Sequence, residues 1–456
     1  MKTGHAPSGP SDLELAQWAL DCARAKGASA VEVLTLTAEA LNAGVRLGEV
    51  EKLKSSRERR VGLRVFVGKS SACASTAELS QDGLERFIED TIALARVTAA
   101  DPWSGLPAPE LHPREIPELK LEDAKHGVIG AERALEMARR AEQAAVTSHP
   151  SITNSEGAEF SSGWHRLTLV NSQGFCAAYN ATSYSLVVIP IAQASGSMQR
   201  DYWYSAARHY ERLKPPEEVG AIAGQRARRR LGARKVRTCK VPVIFDSETA
   251  SSLLGNVAAA VCGHALYTGA SFLKDKLGAR IAAPTVSLID DPTLVGALGS
   301  KPFDGEGAAS HPKSLITQGY LKSYLLDSYS ARKLGLTSTG NASRTIGGPP
   351  SAAPTNLYLE PGPHSPQEII GSVKRGLLVT ELIGFGVNLV TGDYSRGAVG
   401  FWIEDGELAY PVEEITIAGN LAQMMRDIEM IGNDLEWRSS VASPTVKIAE
   451  MTVAGA

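Results

Sequence analysis

The sequence predicts an α+β protein, with an antiparallel sheet in its N-terminal part and a mostly-β, barrel-like C-terminal domain that has a helix laid against it. Three observations support this class. Strand-like segments with alternating apolar residues lie between amphipathic helices in the first half, and a proline-rich stretch separates two such groups. The second half is rich in glycine and in short strand-like runs. At 456 residues the chain is long enough for two or three domains.

The first predicted domain, residues 11–110, begins with a helix and continues into a sheet. Ser11 is a good N-cap, and Glu14 stands three residues later, as in a capping box. Apolar residues alternate with polar ones over residues 31–36 and 61–67. This period of two predicts half-buried strands of an antiparallel sheet.

A second helix of this domain is predicted from Ser80, its N-cap, to about Ala100. Its apolar stripe consists of Leu84, Phe87, Ile88, Ile92, Leu94 and Ala95. Residues 101–120 hold five prolines and are predicted to be a linker.

The second predicted domain, residues 120–235, repeats the pattern of helix, strands and helix. A helix is expected over residues 130–147 and strands over 166–171 and 184–194, and Pro215–Pro216 opens a further helix that ends near Gly232. The tail of that helix carries a basic cluster: Arg226, Arg228, Arg229, Arg230, Arg234 and Lys235. Because basic residues complement the dipole at a helix C-terminus, a solvated helix end is expected here, with an anionic partner as the alternative.

The third predicted domain, residues 236–456, is mostly β. Asp405–Gly406 lies between two strand-like runs and predicts a tight hairpin turn. A helix over residues 247–264 is expected to lie against this β structure.

Composition excludes several classes of protein. A net charge of -3, with 43% hydrophobic and 21% charged residues, describes an ordinary globular protein and argues against a dedicated nucleic-acid binder. The chain has no apolar run of about 18 residues, and its first ten residues are polar, so neither a membrane span nor a signal peptide is expected. The five cysteines lack C-x-x-C spacing, which favours reduced thiols and a cytoplasmic location.

Histidine spacing bears directly on metal chemistry. A helical zinc site needs two His on one face, about one turn apart. No two of the nine His lie within ten residues of each other: His5, His112, His126, His149, His165, His209, His264, His311 and His364. The sequence therefore predicts no helical metal site in this chain.

Several motifs stand in close succession along the chain. They are VGLRVFVGKS at 61–70, VPVIFD at 241–246, PFDGEG at 302–307, YLLDSYSARKLG at 324–335, TGNA at 339–342 and NLYLEPG at 356–362. This series resembles the TldD/PmbA family, which is described as modulators of DNA gyrase and as metalloproteases. Within that family the chain looks like the PmbA (TldE) branch, not the zinc-bearing TldD branch.

The resemblance implies where a zinc site would lie and that this chain has lost it. In the zinc-bearing branch an H-E-x-x-x-H helix supplies two ligands and a general base, but the matching positions here are Ala259, Ala260 and His264. The third ligand of that branch is a Cys in a glycine-rich loop after a Gly-Asn-Asp-Leu sequence. Residues 432–435 keep this sequence, but no Cys follows it. We therefore expect no catalytic residue and no metal ligand in this chain.

Three other groups of residues could carry chemistry or binding. Cys262 and His264 suggest a nucleophile and base, but residues two apart on a helix face different ways, so a buried thiol and a helix-terminal His are the favoured interpretation. Asp304 and Glu306 could be an acid–base pair or metal ligands, although turn carboxylates that accept backbone N–H groups are favoured.

A substrate or interface role is predicted for Asp393, Tyr394 and Arg396, which are surrounded by small residues in the segment 391–398. An ordinary hairpin loop is the alternative for this segment.

These observations lead to one main hypothesis. The resemblance implies a non-catalytic partner subunit of a heterodimeric cytosolic zinc metalloprotease that cleaves unfolded or leader peptides. A TldD-like subunit would supply the zinc, and an extended peptide would bind by strand addition. The interface is expected within residues 240–435, and the isolated chain is expected to form a homodimer.

Two alternatives stay open. One is a self-sufficient peptidase with an atypical site around His264, Asp304 and Glu306. The other is a binding or regulatory protein without a proteolytic role.

Overall fold

The computed structural model describes residues 10–455. The prediction about a signal peptide rests mostly on residues 1–9, which lie outside this range, as does His5. Within the described part of the chain, no helix combines the length and the apolar character that crossing a membrane requires.

The first part of the chain contains two helices and three strands. In chain order they are α1 (Asp12–Ala25), β1 (Ala30–Arg46), β2 (Glu49–Val67), β3 (Ser70–Thr76) and α2 (Gln81–Val97). The predicted capping box of α1 is confirmed, since the Ser11 hydroxyl accepts from Glu14 N and the Glu14 carboxylate accepts from Ser11 N. Ser80 caps α2 as predicted. The predicted apolar stripe of α2 is wrong at Leu94, which is 50% exposed.

The middle part contributes two further helices and four strands. They are α3 (Ala131–Thr147), β4 (Ile152–Asn171), β5 (Cys176–Ala194), β6 (Ser197–Arg200), β7 (Trp203–Ala207) and α4 (Pro216–Arg229). Helices α3 and α4 pack closely, because a Cβ on Gly220 would lie 2.2 Å from the Ala141 carbonyl oxygen. Only glycine allows this approach.

Strands β1 to β7 form one sheet, in the order β3-β2-β1-β4-β5-β6, with β7 also pairing with β5. The long antiparallel contact between β1 and β4 joins the first two predicted domains through their backbones. Helices α1 and α2 cover one part of this sheet, and α3 and α4 cover another. The division at residues 110–120 stays a prediction.

The C-terminal part is mostly β. Its helices are α5 (Ser247–Val261), α6 (Gly263–Tyr267), α7 (Ser328–Leu334), α8 (Pro366–Gly371) and α9 (Leu421–Arg426). Its strands are β8 (Cys239–Phe245), β9 (Leu288–Asp290), β10 (Lys313–Thr317), β11 (Tyr320–Leu321), β12 (Ala342–Ser343), β13 (Ser351–Ala352), β14 (Leu357–Leu359), β15 (Arg375–Ile383), β16 (Asp393–Glu404), β17 (Glu407–Asn420), β18 (Ile428–Ile431), β19 (Val441–Ala442) and β20 (Val446–Ala454).

Five of these strands close into a barrel. The order β17-β16-β15-β8-β20 is completed by pairing of β17 with β20. The predicted turn between β16 and β17 is confirmed, with Asp405 and Gly406 both at positive φ, as a type I′ turn requires. Helix α5 lies against β8 and β15 of this barrel. The predicted α+β class, with a barrel-like C-terminal domain and a helix laid against it, is therefore confirmed.

The predicted linker, which follows α2, is docked against helix α7 of the C-terminal part. The Arg332 guanidinium on α7 donates to three backbone carbonyls of this segment, those of Trp103, Gly105 and Leu106, at 2.7 to 3.1 Å. The segment has only one short 3-10 helix, Pro109–Leu111, and charge-assisted hydrogen bonds hold its first residues in place.

The predicted solvated end of α4 is wrong for two of its arginines. Arg226 and Arg230 both pair with the buried Asp201, at 3.4 and 3.6 Å, and Arg230 also pairs with Glu381 on β15 at 2.6 Å. The basic tail of α4 therefore joins the middle part of the chain to the barrel through the ion pair of Arg230 with the half-buried Glu381.

Candidate functional site

The helix that the resemblance matches to a zinc helix is interrupted. It begins after the N-cap Asp246, whose carboxylate accepts from Thr249 N at 2.8 Å, and ends at Val261. Cys262 has extended backbone angles, and His264 belongs to the separate short helix α6. The prediction of a single helix over residues 247–264 is therefore wrong, because the helix ends at Val261 and a second one begins at Gly263.

Pairing with a distant segment causes the interruption. Leu325 N donates to the Val261 carbonyl at 3.0 Å, and Gly263 N donates to the Leu325 carbonyl at 2.8 Å. A Cβ on Gly263 would lie 2.1 Å from Ser330 Oγ, so glycine is required where the chain passes α7. These contacts turn His264 away from the α5 axis.

The three positions matched to a zinc site hold no ligand set. Ala260 is fully buried, and its carbonyl accepts from Ser271 Oγ at 2.5 Å, while Ala259 is half-buried. The exposed His264 places Nδ1 2.8 Å from the Tyr267 hydroxyl. Two methyl groups cannot coordinate zinc. Among residues 10–455, no group of three or more His, Cys, Asp or Glu side chains is placed to hold a metal ion.

The segment expected to carry a third ligand is built differently. The Asp434 carboxylate accepts from Thr445 N and Thr445 Oγ1, both at 2.8 Å, and this holds the Gly-Asn-Asp-Leu sequence in place. The chain then forms β19, which pairs with β14 and contacts α5. A short strand, without Cys, therefore lies next to the helix, and the residues present do not fit a catalytic zinc ion.

His264 nevertheless lines a cavity of about 430 Å³ between the N-terminal sheet and the C-terminal part. The N-terminal half contributes Arg64, Lys69, Ser71, Cys73, Thr98, Ala99, Asp101 and Ser104. The C-terminal half contributes His264, Tyr267, Asp327, Tyr329, Pro349, Pro350, Ser351 and Ala352. This cavity is the candidate functional site.

One wall of the cavity is a chain of aromatic and charged contacts. The Tyr329 hydroxyl donates to Asp101 Oδ2 at 2.6 Å, and this bond, with one from Trp103 N, lowers the pKa of Asp101. The Tyr267 and Tyr329 rings meet edge to face, and the Lys333 ammonium lies 5.2 Å from the centre of each. Such a wall can contact apolar and polar parts of a ligand, but it presents no activated nucleophile.

Cys262 does not act with His264. Cys262 is the extended cap residue between α5 and α6, whereas His264 lies within α6 and its Nδ1 is occupied by the Tyr267 hydroxyl. Burial, and the charge of Asp290 to a smaller degree, raises the pKa of the Cys262 thiol to about 12. A thiol with so high a pKa is a weak nucleophile at neutral pH, which agrees with the favoured interpretation.

Asp304 and Glu306 are structural carboxylates. Asp304 accepts from the backbone N–H groups of Glu306, Ala308 and Ala342 at 2.8 to 3.0 Å. Glu306 is fully buried and accepts from Arg64 Nη1 at 3.1 Å and from Ser328 N at 2.9 Å. Burial, with the nearby Glu306 carboxylate, raises the pKa of Asp304. Neither group lines the cavity, so the acid–base and metal-ligand interpretations have no support.

The segment around Asp393, Tyr394 and Arg396 is the start of β16, and the hairpin loop lies before it. Asp393 is exposed, Arg396 is half-buried, and Tyr394 is only 1% exposed within the barrel core. Burial raises the pKa of Tyr394 to about 12. A surface role predicted for these residues can therefore involve Asp393 and Arg396 directly, but not the Tyr394 ring.

An apolar loop tip that was not predicted from the sequence lies beside this segment. Ile383 at the end of β15, and Phe385 and Val390 in the loop that leads to β16, are 55%, 99% and 56% exposed. Asn388 holds the loop, since its side chain accepts from Val390 N at 2.9 Å and its carbonyl accepts from Gly392 N at 2.8 Å. Gly384 and Gly386 flank Phe385, and this pattern could have indicated an aromatic residue displayed on a turn.

Comparison with known proteins agrees with this architecture along nearly the whole chain. Residues 31–95, 126–231 and 238–455 match domain 1, the central domain and the C-terminal domain of the PmbA/TldA metallopeptidases. The metalloprotease PmbA of Escherichia coli O157:H7 is 39% identical over 442 residues, which cover 97% of this chain and 96% of that protein.

Two solved structures share the fold. A putative modulator of DNA gyrase from Bacteroides thetaiotaomicron superposes with a TM-score of 0.90 at 31% identity, covering 97% of this chain and 98% of that one. TldE from Thermococcus kodakarensis superposes with a TM-score of 0.84 at 22% identity, covering 97% and 99%. On the strength of its sequence relatives, this chain belongs to the PmbA/TldD metalloprotease family.

Proposed function

We propose that this chain is the non-catalytic subunit of a zinc peptidase built from two related chains. A TldD-like relative would supply the zinc and the general base, and this chain would complete the complex and help to hold an extended peptide. The observation that carries the proposal is the pair Ala259 and Ala260, which stands near the C-terminal end of helix α5, where metal-ligating side chains would be needed.

The packing around the lost site supports a retained role in assembly. Helix α5 still contacts the barrel and β19, and the Ala260 carbonyl keeps its bond to Ser271. A chain that preserves this framework without ligands fits a partner subunit better than an enzyme. The name TldE, borne by a protein with the same fold, agrees with this assignment.

The apolar tip formed by Ile383, Phe385 and Val390 is our proposed contact with the zinc-bearing subunit. A fully exposed Phe on a turn that its own hydrogen bonds hold in place is favourable to bury, because little conformational freedom is lost on binding. The tip lies within residues 240–435, where the family motifs are densest. Arg396, half-buried on the adjoining strand β16, could add a polar contact at its margin.

The cavity beside His264 is our proposed contact with substrate. Its proline and tyrosine side chains offer apolar walls, while Lys69, Asp101 and His264 offer polar groups. A mixed lining of this kind suits an unfolded peptide segment of varied sequence. All five cysteines are free thiols, which fits a reducing cytoplasm as the site of action.

The test mixes this chain with a zinc-bearing relative from the same genome and measures cleavage of an unstructured peptide. Neither this chain nor its Phe385→Asp variant should cleave alone, and the wild-type mixture should exceed the relative alone. Phe385→Asp should weaken assembly and activity together. Val128→Asp, at a single exposed apolar residue (81% exposed) in the middle part of the chain, is the matched control and should do neither.

His264→Ala separates this proposal from a self-sufficient peptidase. It should leave both assembly and the turnover number of the mixture in place, because no ligand or base is lost. Abolished turnover with intact assembly would refute the non-catalytic role. Cleavage by this chain alone would support the atypical peptidase, and no effect of mixing would favour a regulatory protein.

A further inference from the structure

Half of strand β2 is a free sheet edge. Strand β1 pairs with β2 along its whole length, but β3 pairs only with residues 61–67 of β2. Within residues 10–455, nothing pairs with the outer side of residues 49–60. Every residue from Glu49 to Glu58 is exposed, including Leu53 at 53%. Proteins usually protect such edges, by shortening or covering them or with bulges and charged side chains, because their unpaired N–H and C=O groups can accept another strand.

The regular part of this edge begins at Lys52. Gly44 pairs with Lys52 and Val45 pairs with Val50, so Glu51 is an extra residue in a β-bulge. From Lys52 onward the register with β1 is regular up to the point where β3 begins to cover the edge. An incoming strand can therefore form a continuous ladder over residues 52–58.

The charges along this ladder are complementary to those of a second, antiparallel copy of the same strand. When two copies of the strand run antiparallel about an axis at Ser55, Lys52 of each copy lies opposite Glu58 of the other. Leu53 then faces Arg57, whose aliphatic stem can cover it, and Lys54 faces Ser56. Moving the axis to Lys54 places that lysine against its own copy, and moving it to Ser56 places Lys52 against Arg60. One register therefore pairs opposite charges without placing like charges together.

We propose that this edge binds a second copy of the same chain, through antiparallel pairing of residues 52–58 across a two-fold axis at Ser55. The pairing would join the two seven-stranded sheets into one. Such an interface is isologous, so each favourable contact occurs twice. It lies in the N-terminal sheet, apart from the apolar tip of the barrel, and it does not depend on the proposed function.

Charge reversal on the full chain tests the register. Lys52→Glu and Glu58→Lys should each raise the dimer dissociation constant about tenfold, because each variant creates two like-charge contacts. The double variant Lys52→Glu/Glu58→Lys should restore the wild-type value. Lys54→Glu makes the same change of charge as Lys52→Glu but faces a serine, so it should have little effect. Light scattering over a dilution series measures all four.

The double variant also separates contacts between chains from contacts within one chain. Lys52 lies 2.8 Å from Glu159 on β4, and both the single and the double variant lose this contact. Only a contact between residue 52 of one chain and residue 58 of the other predicts that the double variant restores the wild-type dissociation constant. A chain that is monomeric at tens of micromolar would overturn the proposal. So would a dimer that is insensitive to both single reversals, or an edge that pairs only with the zinc-bearing relative or with a peptide.

A cross-link provides an independent check. Under mild oxidation, Ser55→Cys should form a covalent dimer, because the axis brings this residue against its own copy. Ser56→Cys faces Lys54 and should cross-link much less. The wild-type chain, which has the exposed Cys176, measures the background. Equal cross-linking of the two variants would overturn the register.

Discussion

Arg64 on β2 and Glu306 in the C-terminal part form a buried ion pair, with 3.1 Å between Arg64 Nη1 and Glu306 Oε1. The two side chains are 8% and 0% exposed. Arg64 also lies 3.8 Å from Glu32 on β1, and Glu32 in turn pairs with Arg344. This network joins the N-terminal sheet to the part of the chain that carries α5 and the barrel. It also forms the structure beneath the cavity, since Arg64 is one of the lining residues.

Removal of Glu306 should be strongly destabilising. Glu306→Ala leaves the Arg64 charge with a less complete set of partners and removes the acceptor of Ser328 N. Removing one partner of a buried ion pair typically costs about 3–5 kcal/mol, so we expect a loss of this size in the free energy of unfolding, which urea denaturation would measure. Glu450→Ala, which removes one partner of the exposed pair with Lys240, is the control and should cost at most about 1 kcal/mol. Equal losses of unfolding free energy in the two variants would show that the buried ion pair stabilises the fold no more than the exposed one.

The cysteines should differ widely in reactivity. Cys176 is exposed, while burial raises the pKa of Cys262 to about 12. Against an ordinary thiol pKa of about 8.5, this reduces the thiolate fraction of Cys262 on the order of a thousandfold at neutral pH. Iodoacetamide labelling of the native chain at pH 7.5, mapped by mass spectrometry, should therefore modify Cys176 long before Cys262. Rapid labelling of Cys262 would restore the nucleophile hypothesis.

Stability should fall in mild acid partly because of His165. Burial, with the nearby Arg208 charge, lowers the pKa of His165 below its ordinary value of about 6.5. Between that lowered value and about 6.5 the unfolded chain binds more protons than the folded one, so this residue makes stability fall as the pH falls. His165→Gln should reduce the loss of unfolding free energy between pH 7 and pH 5. The same change at the exposed His311 is the control, and an unchanged pH dependence in His165→Gln would contradict the argument.

Local features of this fold could be predicted from the sequence because their causes are local. Ser11 and Glu14 lie three residues apart, and Asp405 and Gly406 are neighbours, so a helix start and a hairpin turn follow from short segments. The break at Cys262 could not be predicted in this way, because its cause is pairing with Leu325.

The same distinction applies to the candidate site. The absence of metal-ligating side chains at Ala259 and Ala260 is visible from residue types alone. The cavity wall depends on a bond between Asp101 and Tyr329, which are 228 positions apart. Arg226 and Arg230 follow a pattern typical of an exposed helix end, but their partner Asp201 lies outside that helix. Contacts between distant segments therefore determine the cavity wall and the burial of these arginines, which the local sequence pattern does not.

The purified chain should contain well below one zinc ion per molecule. Position 259 offers only a methyl group, the Ala260 side chain is fully buried, and His264 lies beyond the break at Cys262. Tight zinc sites need three or four ligands held together, and here a single His remains. Elemental analysis after purification without chelators measures the content, and His264→Ala is the matched control, since it should leave that content unchanged.

Introducing the His and Glu of the zinc-bearing branch at positions 259 and 260 should not create a tight zinc site. In Ala259→His/Ala260→Glu the new carboxylate would enter a position without exposed surface, which costs stability unless it finds a partner. The third ligand would still be absent, because β19 lies against α5 where a Cys loop would be needed. We therefore expect this variant to be less stable than the wild type and to lose added zinc on dialysis. Retention of one zinc ion by the wild-type chain, and its loss in His264→Ala, would show that His264 is a metal ligand and that the chain has a site of its own.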